Sequence, residues 1–285
     1  MSHRNARPRR RPAAHARRPG VALRKRVRRA LPRPGRIAAG LLTAALVAGL
    51  LALVNGPWLR VAHVAWAGER YTPENQLERS LTGLEGSALL AVDAAGLAAE
   101  LERLPAVADA RVEAVLPDAV RVTIVEKQAT FIWQTSAVRL IGGADGQLIG
   151  QVALGAELPE ELALLPLVDD QRVASRDIIV GDRIDAPTLA AALRLSTIDP
   201  LALGSKALTL GLRLTDGNGF LLVASGPVWE ADFGFYPAQD GGELGTLEER
   251  VTAQVTAVRT LFSFEAEGGI SWVDARDPGR VYWRP

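Results

Sequence analysis

The side chains that most often perform chemistry are scarce in this chain and unevenly placed. There is no cysteine, and the three histidines, His3, His15 and His63, all precede Glu69. Residues 69–285 therefore offer no imidazole or thiolate for metal binding and no His-assisted nucleophile. Their only lysines are Lys127 and Lys206. Lys206 adjoins Ser205 in sequence, which is not the spacing of a Ser-Lys pair on a helix, and Lys127 reads as a solvated charge at a strand end. Paired carboxylates remain as an option for acid–base work. The doublets Glu160-Glu161 and Asp169-Asp170 lie in polar, loop-like stretches and read as solvation. Gly217 and Gly219 belong to a hairpin turn, and no glycine-rich phosphate loop precedes a helix. The expectation is a protein that is not an enzyme and takes no cofactor, metal or small-molecule substrate.

The charges point elsewhere. Thirty-three Lys+Arg stand against 32 Asp+Glu in 285 residues, yet no acid occurs before Glu69. The first 68 residues carry about +15 and the remainder about −14, so the chain is not one uniformly solvated globule. Between Arg36 and Arg60 there is no charge. Ile37–Val54 is an apolar run of eighteen residues, about 27 Å long as a helix at ~1.5 Å per residue, close to the ~30 Å of a bilayer core. Asn55-Gly56-Pro57-Trp58 supplies a break and an interfacial aromatic. Residues 37–57 thus read as an uncleaved transmembrane signal-anchor. The arginine-rich residues 1–36 read as a disordered cytoplasmic tail, with the acidic part outside. Nucleic-acid binding by that tail is a competing reading, but topology and attraction to anionic lipid account for it without a specific nucleic acid.

Beyond the anchor, Trp58–Trp66 reads as a strand. Thr72-Pro73-Glu74 reads as an N-cap, a proline at the first helical position and an acid in the first turn. Leu77, Leu81 and Leu84 then share one helical face. A second helix is expected over Asp93–Leu104, ended by Pro105. Val107–Val115 and Val120–Glu126 flank the turn at Leu116-Pro117-Asp118-Ala119, and Val120, Val122 and Ile124 alternate with polar residues as in a half-buried strand. The order is β-α-α-β-β over residues 58–128.

Residues 129–285 form a larger unit. Strands are expected at Thr130–Gln134, Val138–Ile141 and Gln147–Val152, the last two joined by the Asp145-Gly146 hairpin. Ala153–Pro166 reads as irregular and leads to Leu167–Val168, and a helix opens at Asp185-Ala186-Pro187. Leu208, Leu210, Leu212 and Leu214 alternate and turn through residues 216–219 into Phe220–Val223, which reads as antiparallel sheet. Thr246 with Glu249 forms a capping box for a helix whose face is Leu247, Val251, Val255, Val258 and Phe262. Ile270–Arg276 and Val281–Arg284 close the chain. The fold class is therefore α+β: a small β-α-α-β-β domain followed by a larger antiparallel β-domain with packed helices.

The pieces LPAVADARV (104–112), LPD (116–118) and VTIVE (122–126) resemble the POTRA domain of the FtsQ/DivIB family of bacterial cell-division proteins. The close, a capped helix followed by VDAR and RVYWRP, resembles that family's C-terminal β-domain, with Asp274 and Arg276 as its D-x-R pattern. The usual proline is missing after Glu126-Lys127-Gln128, the stretch Phe233–Leu244 is longer and richer in glycine than usual, and the lysine common before the last helix is absent. The resemblance implies a divisome scaffold at the septum, in the cell membrane as a single-pass protein, binding FtsB/DivIC-like and FtsL-like partners, with an FtsK-like protein a further candidate at the POTRA domain. Ile270, Trp272, Asp274, Arg276, Val281, Tyr282 and Trp283 are the candidate partner-binding residues, on strands that can lie at a sheet edge. Trp272 has a second reading, as a core residue packed under the last helix. A POTRA-type polypeptide-transport or folding module is the alternative function; it calls for repeated units or a membrane barrel, and the sequence supplies one unit.

Overall fold

The computed structural model describes residues 34–237 and 245–285. The tail 1–33 and most of the glycine-rich stretch, 238–244, lie outside the described residues. The chain divides into two compact units, Met1–Leu51 and Ala52–Pro285. Helix α1 (Pro34–Asn55), which runs past Leu51, begins at a proline and carries no acid in its first turn and no base in its last. Leu41, Leu42, Leu46 and Leu50 are exposed on it. Among the described residues no helix is long and apolar enough to cross a membrane.

The second unit opens with a 3-10 turn at Pro57–Leu59, so strand β1 (His63–Ala67) is shorter than the nine residues expected. Pro57 fixes a helical φ there. Helix α2 (Glu74–Ser80) follows Pro73, without the side-chain cap expected of Thr72; the Thr72 hydroxyl is buried and has no partner. Helix α3 (Ala94–Leu101) is capped by Asp93, whose carboxylate accepts the Gly96 N–H at 2.9 Å. It ends three residues before Leu104. Strands β2 (Val107–Val115) and β3 (Ala119–Glu126) form a hairpin, and β1 lies parallel to β3, giving the order β1-β3-β2. Val120, Val122 and Ile124 face inward against Leu77, Leu81 and Leu101. The expected β-α-α-β-β order is present.

The remaining strands form one nine-stranded sheet. They are β4 (Ala129–Gln134), β5 (Val138–Gly143), β6 (Leu148–Ala153), β7 (Leu167–Asp170), β8 (Thr209–Thr215), β9 (Gly219–Ser225), β10 (Glu230–Gly234), β11 (Trp272–Asp274) and β12 (Tyr282–Arg284). Their order is β12-β11-β10-β9-β8-β7-β4-β5-β6. The sheet is mixed rather than antiparallel: β4 with β7, β7 with β8 and β10 with β11 run parallel. The physical reason is the crossovers. Helix α4 (Glu160–Ala163) lies between β6 and β7, α5 (Ala186–Ser196) between β7 and β8, and α6 (Leu247–Phe264) between β10 and β11. Strand β10 went unrecognised in the sequence because Phe233 and Gly234 look like the start of a loop, whereas they end a strand.

Register puts Trp133, Val168, Leu212, Leu222, Ala231, Val273 and Trp283 in one row across the sheet. All but the last join the core beneath α5 and α6. On the opposite face, at the β4–β6 end, Ile132, Ile141 and Ile149 pack with Ala106, Tyr71 and Leu162, so the small domain covers that end. Within the small domain, the carboxylate of Glu126 accepts three consecutive backbone N–H groups, from Arg70, Tyr71 and Thr72, at 2.9, 2.7 and 2.8 Å, and so fixes the loop that carries Tyr71.

Candidate partner-binding edge

At its other end the same face is uncovered. Its row reads Gln134, Asp169, Arg213, Leu221, Asp232, Asp274 and Tyr282. Asp232 is 1% exposed even so. The Trp272 indole lies over it and donates its N–H to Oδ2 at 3.3 Å, while Oδ1 has no partner. Burial pushes the Asp232 carboxyl up to about 6, against the Trp272 hydrogen bond and the nearby Arg276, which act the other way. Above Trp272 stands the Arg284 guanidinium, 4.2 Å from the ring centroid, a distance at which cation–π attraction operates. Trp272 therefore does not pack under α6. Val273 takes the helix-facing place, because successive strand residues alternate faces.

Strand β12 is the sheet's last strand, and all three of its residues are exposed, Tyr282 by 60% and Trp283 by 40%. A terminal strand leaves one row of backbone N–H and C=O groups unpaired. Proteins usually blunt such a strand; this one instead presents two aromatics, on opposite faces. Val281, just before it, is half-buried against the core. Ile270 is 4% exposed and belongs to that core, so it supports the edge from beneath. Asp274 and Arg276 face each other as a fork, with Nε to Oδ1 at 2.8 Å and Nη2 to Oδ2 at 2.6 Å. The Arg276 hydrogen bonds hold the Asp274 carboxyl below the usual carboxylate range. The D-x-R pattern thus closes on itself and shapes the turn out of β11.

Several supporting residues were not singled out in the sequence. Gln254 is fully buried on α6; its Nε2 donates to the carbonyls of Phe233 at 2.9 Å and Ala275 at 2.8 Å, and its Oε1 accepts from the Tyr236 hydroxyl. One amide therefore ties the ends of β10 and β11 to the helix. Arg250, also buried, donates to the Phe235 carbonyl at 2.9 Å and lies 4.2 Å from the Tyr236 ring centroid. The signal was available: residues 247, 251, 254, 258 and 261 form the helical stripe, and a glutamine inside it needs buried partners. The inward face follows Val251, Gln254, Val258 and Leu261, while Val255 and Phe262 are only half-buried.

Several of the residues that could carry chemistry are engaged by neighbours in the fold. Asp170 is fully buried and accepts from the Trp133 indole at 2.9 Å and from Arg172 at 2.9 and 2.8 Å. It is not the solvated loop acid expected, since it ends β7 facing the core. Glu161 pairs with Arg70. Lys127 is not free either: its ammonium donates to Gln147 and lies 3.8 Å from Asp145. Ser205 donates to Glu267, which also accepts the Lys206 N–H at 2.9 Å and the Trp229 indole at 2.7 Å. Among the described residues no group of three or more His, Cys, Asp or Glu is placed to hold a metal ion.

Comparison with known proteins fits this architecture. The FtsQ-type POTRA domain family matches residues 59–127. The cell division protein FtsQ of Chloroflexus aurantiacus is 26% identical over 183 residues, 63% of this chain and 63% of its own length. The chain thus carries an FtsQ-type POTRA domain followed by a large β-sheet, and it is similar to an FtsQ cell-division protein that aligns well beyond the POTRA domain.

Proposed function

We propose that the chain is a non-catalytic scaffold of the division machinery, which holds small bitopic partners of the FtsB/DivIC and FtsL type by adding a partner strand to β12. The observation that carries this reading is the exposed terminal strand with Tyr282 and Trp283, backed by the Gln254 clamp and the Asp232–Trp272–Arg284 stack. Strand addition supplies affinity through main-chain hydrogen bonds and specificity through side chains on alternate faces, and aromatics of this kind are common interface anchors. The family's role in cell division supports placing that event at the septum.

In this reading the uncharged run of α1 is a signal-anchor in the cell membrane. The fourteen positive charges up to Arg36 keep the N-terminus in the cytoplasm, and the acidic domains lie outside. The POTRA domain then serves recruitment, with an FtsK-like protein as a candidate partner.

The test is co-purification of the full chain with FtsB/DivIC-like and FtsL-like proteins. Trp283→Pro, which removes the N–H that β12 turns away from β11, should abolish recovery while far-ultraviolet circular dichroism stays unchanged. Full recovery with the variant would overturn the edge reading. A fluorescent fusion should collect at mid-cell.

A further inference from the structure

The sheet has a second end. Strand β6 pairs with β5 on its inner side. On its outer side Leu148 exchanges hydrogen bonds with the segment that follows Ile179: its N–H reaches the Asp182 carbonyl at 2.8 Å, and the Gly181 N–H reaches its own carbonyl at 2.8 Å. Past Leu148 no described residue pairs with that side. The strand's sequence, LIGQVA, holds no charge and no proline, two of the usual defences of an edge. Its bulge at Ile149 sits beside the covered end.

Next to this open stretch is a cleft of about 260 Å³, walled by Pro73 and Pro105 of the POTRA domain, by Ile149 and Gly150 of β6, and by Ile179 and Val180. Gly150 is what brings the walls together, since a Cβ there would sit 3.0 Å from the Tyr71 Cβ. Ile179 stands 64% exposed at the cleft. The lining residues with polar side chains are Tyr71, Thr72, Gln76 and Gln151; none of the lining residues is charged. A charged side chain placed there would lose water without gaining a partner. An apolar cavity of ~150 Å³ already takes benzene, so this one takes a leucine-sized or aromatic side chain.

We propose that β6 is a second docking edge, which binds an extended segment of a partner protein through its main chain and receives one bulky, uncharged side chain of that segment in the cleft beside the POTRA domain. An unpaired strand specifies an extended occupant, because a helix has already used its own backbone groups. This site is separate from β12 and does not depend on it.

The probe is a phage-displayed library of random nonapeptides, selected on the full chain in detergent micelles, with retained peptides then synthesised. Peptides of alternating apolar pattern should be recovered, and their affinity should fall at least tenfold when the cleft is filled by Ile179→Trp or given a charge by Ile179→Asp. Both variants alter an exposed position, and near-ultraviolet circular dichroism reports their fold. N-methylation of alternate amides should abolish binding in one register and spare it in the other, and Trp283→Pro should leave binding unchanged. The proposal is overturned if no peptide is retained, if retained peptides ignore the Ile179 variants, or if they tolerate methylation in both registers. Loss of binding with Trp283→Pro overturns it in favour of β12 alone. Self-association of the chain that Ile179→Trp dissolves overturns it in favour of a second copy.

Discussion

Replacing Asp232 by asparagine should change how stability depends on pH. The carboxyl is raised from 3.8 to about 6 by burial beneath Trp272, so between those values the folded chain binds a proton that the unfolded chain does not. Stability must therefore rise as pH falls from 7 toward 4, with the gain complete below the unfolded value. A gap of about two pH units at 1.36 kcal/mol each sets the ceiling at ~3 kcal/mol, and at pH 5 roughly 1 kcal/mol should be present. For a domain of 150–250 residues that corresponds to about 2–4 °C in Tm. Asp274 and Glu267 slope the other way. Arg276 lowers the first, and at Glu267 burial is outweighed by hydrogen bonds from Ser205, Lys206 and Trp229. Their contributions are lost as pH falls, so the informative quantity is the difference between wild type and Asp232→Asn. Thermal unfolding followed by tryptophan fluorescence at pH 7.5 and pH 5 measures it. Wild type should gain about 2–4 °C on acidification relative to the variant. Equal pH responses in the two proteins would refute a buried, proton-binding Asp232.

Other substitutions test the supporting geometry. Gln254→Leu leaves the carbonyls of Phe233 and Ala275 and the Tyr236 hydroxyl buried without partners, and should cost about 3 kcal/mol at ~1–3 kcal/mol per group; an unchanged denaturant midpoint would contradict the clamp. Asp170→Asn removes the charge that Arg172 and the Trp133 indole share. The loss should be roughly 2–3 kcal/mol, below the ~3–5 of a wholly buried pair because Arg172 reaches water, read from the same midpoint. Glu126→Gln should speed amide hydrogen exchange at Arg70, Tyr71 and Thr72 and destabilise by about 1–3 kcal/mol; unaltered exchange there would show that the carboxylate does not hold that loop.

Much of the fold was legible because it is local. Alternation at Val120, Val122 and Ile124, the Thr246–Glu249 box and the Asp145-Gly146 turn each write their element within a few residues, and the structure has each of them. The misreadings have a common cause. Asp170 looked like a solvated acid, Lys127 like a solvated charge and Gln254 passed unnoticed, because a decisive partner of each is remote in sequence: Trp133 for Asp170, Gln147 for Lys127, and Phe233 and Ala275 for Gln254. Parallel pairing went unread for the same reason: it depends on where three crossovers return the chain.

The division of charge, the absence of imidazole and thiol beyond Glu69, the order of elements in the small domain and the family resemblance are all legible in the linear chain, since composition, short motifs and short-range periodicity carry them. Which strands end the sheet, that Trp272 covers Asp232 instead of packing under α6, and that the POTRA domain and β6 enclose a neutral cleft emerge from the folded chain alone. Edges and clefts arise from pairings between distant segments, and a backbone group is known to be unpaired only once every other strand has been placed.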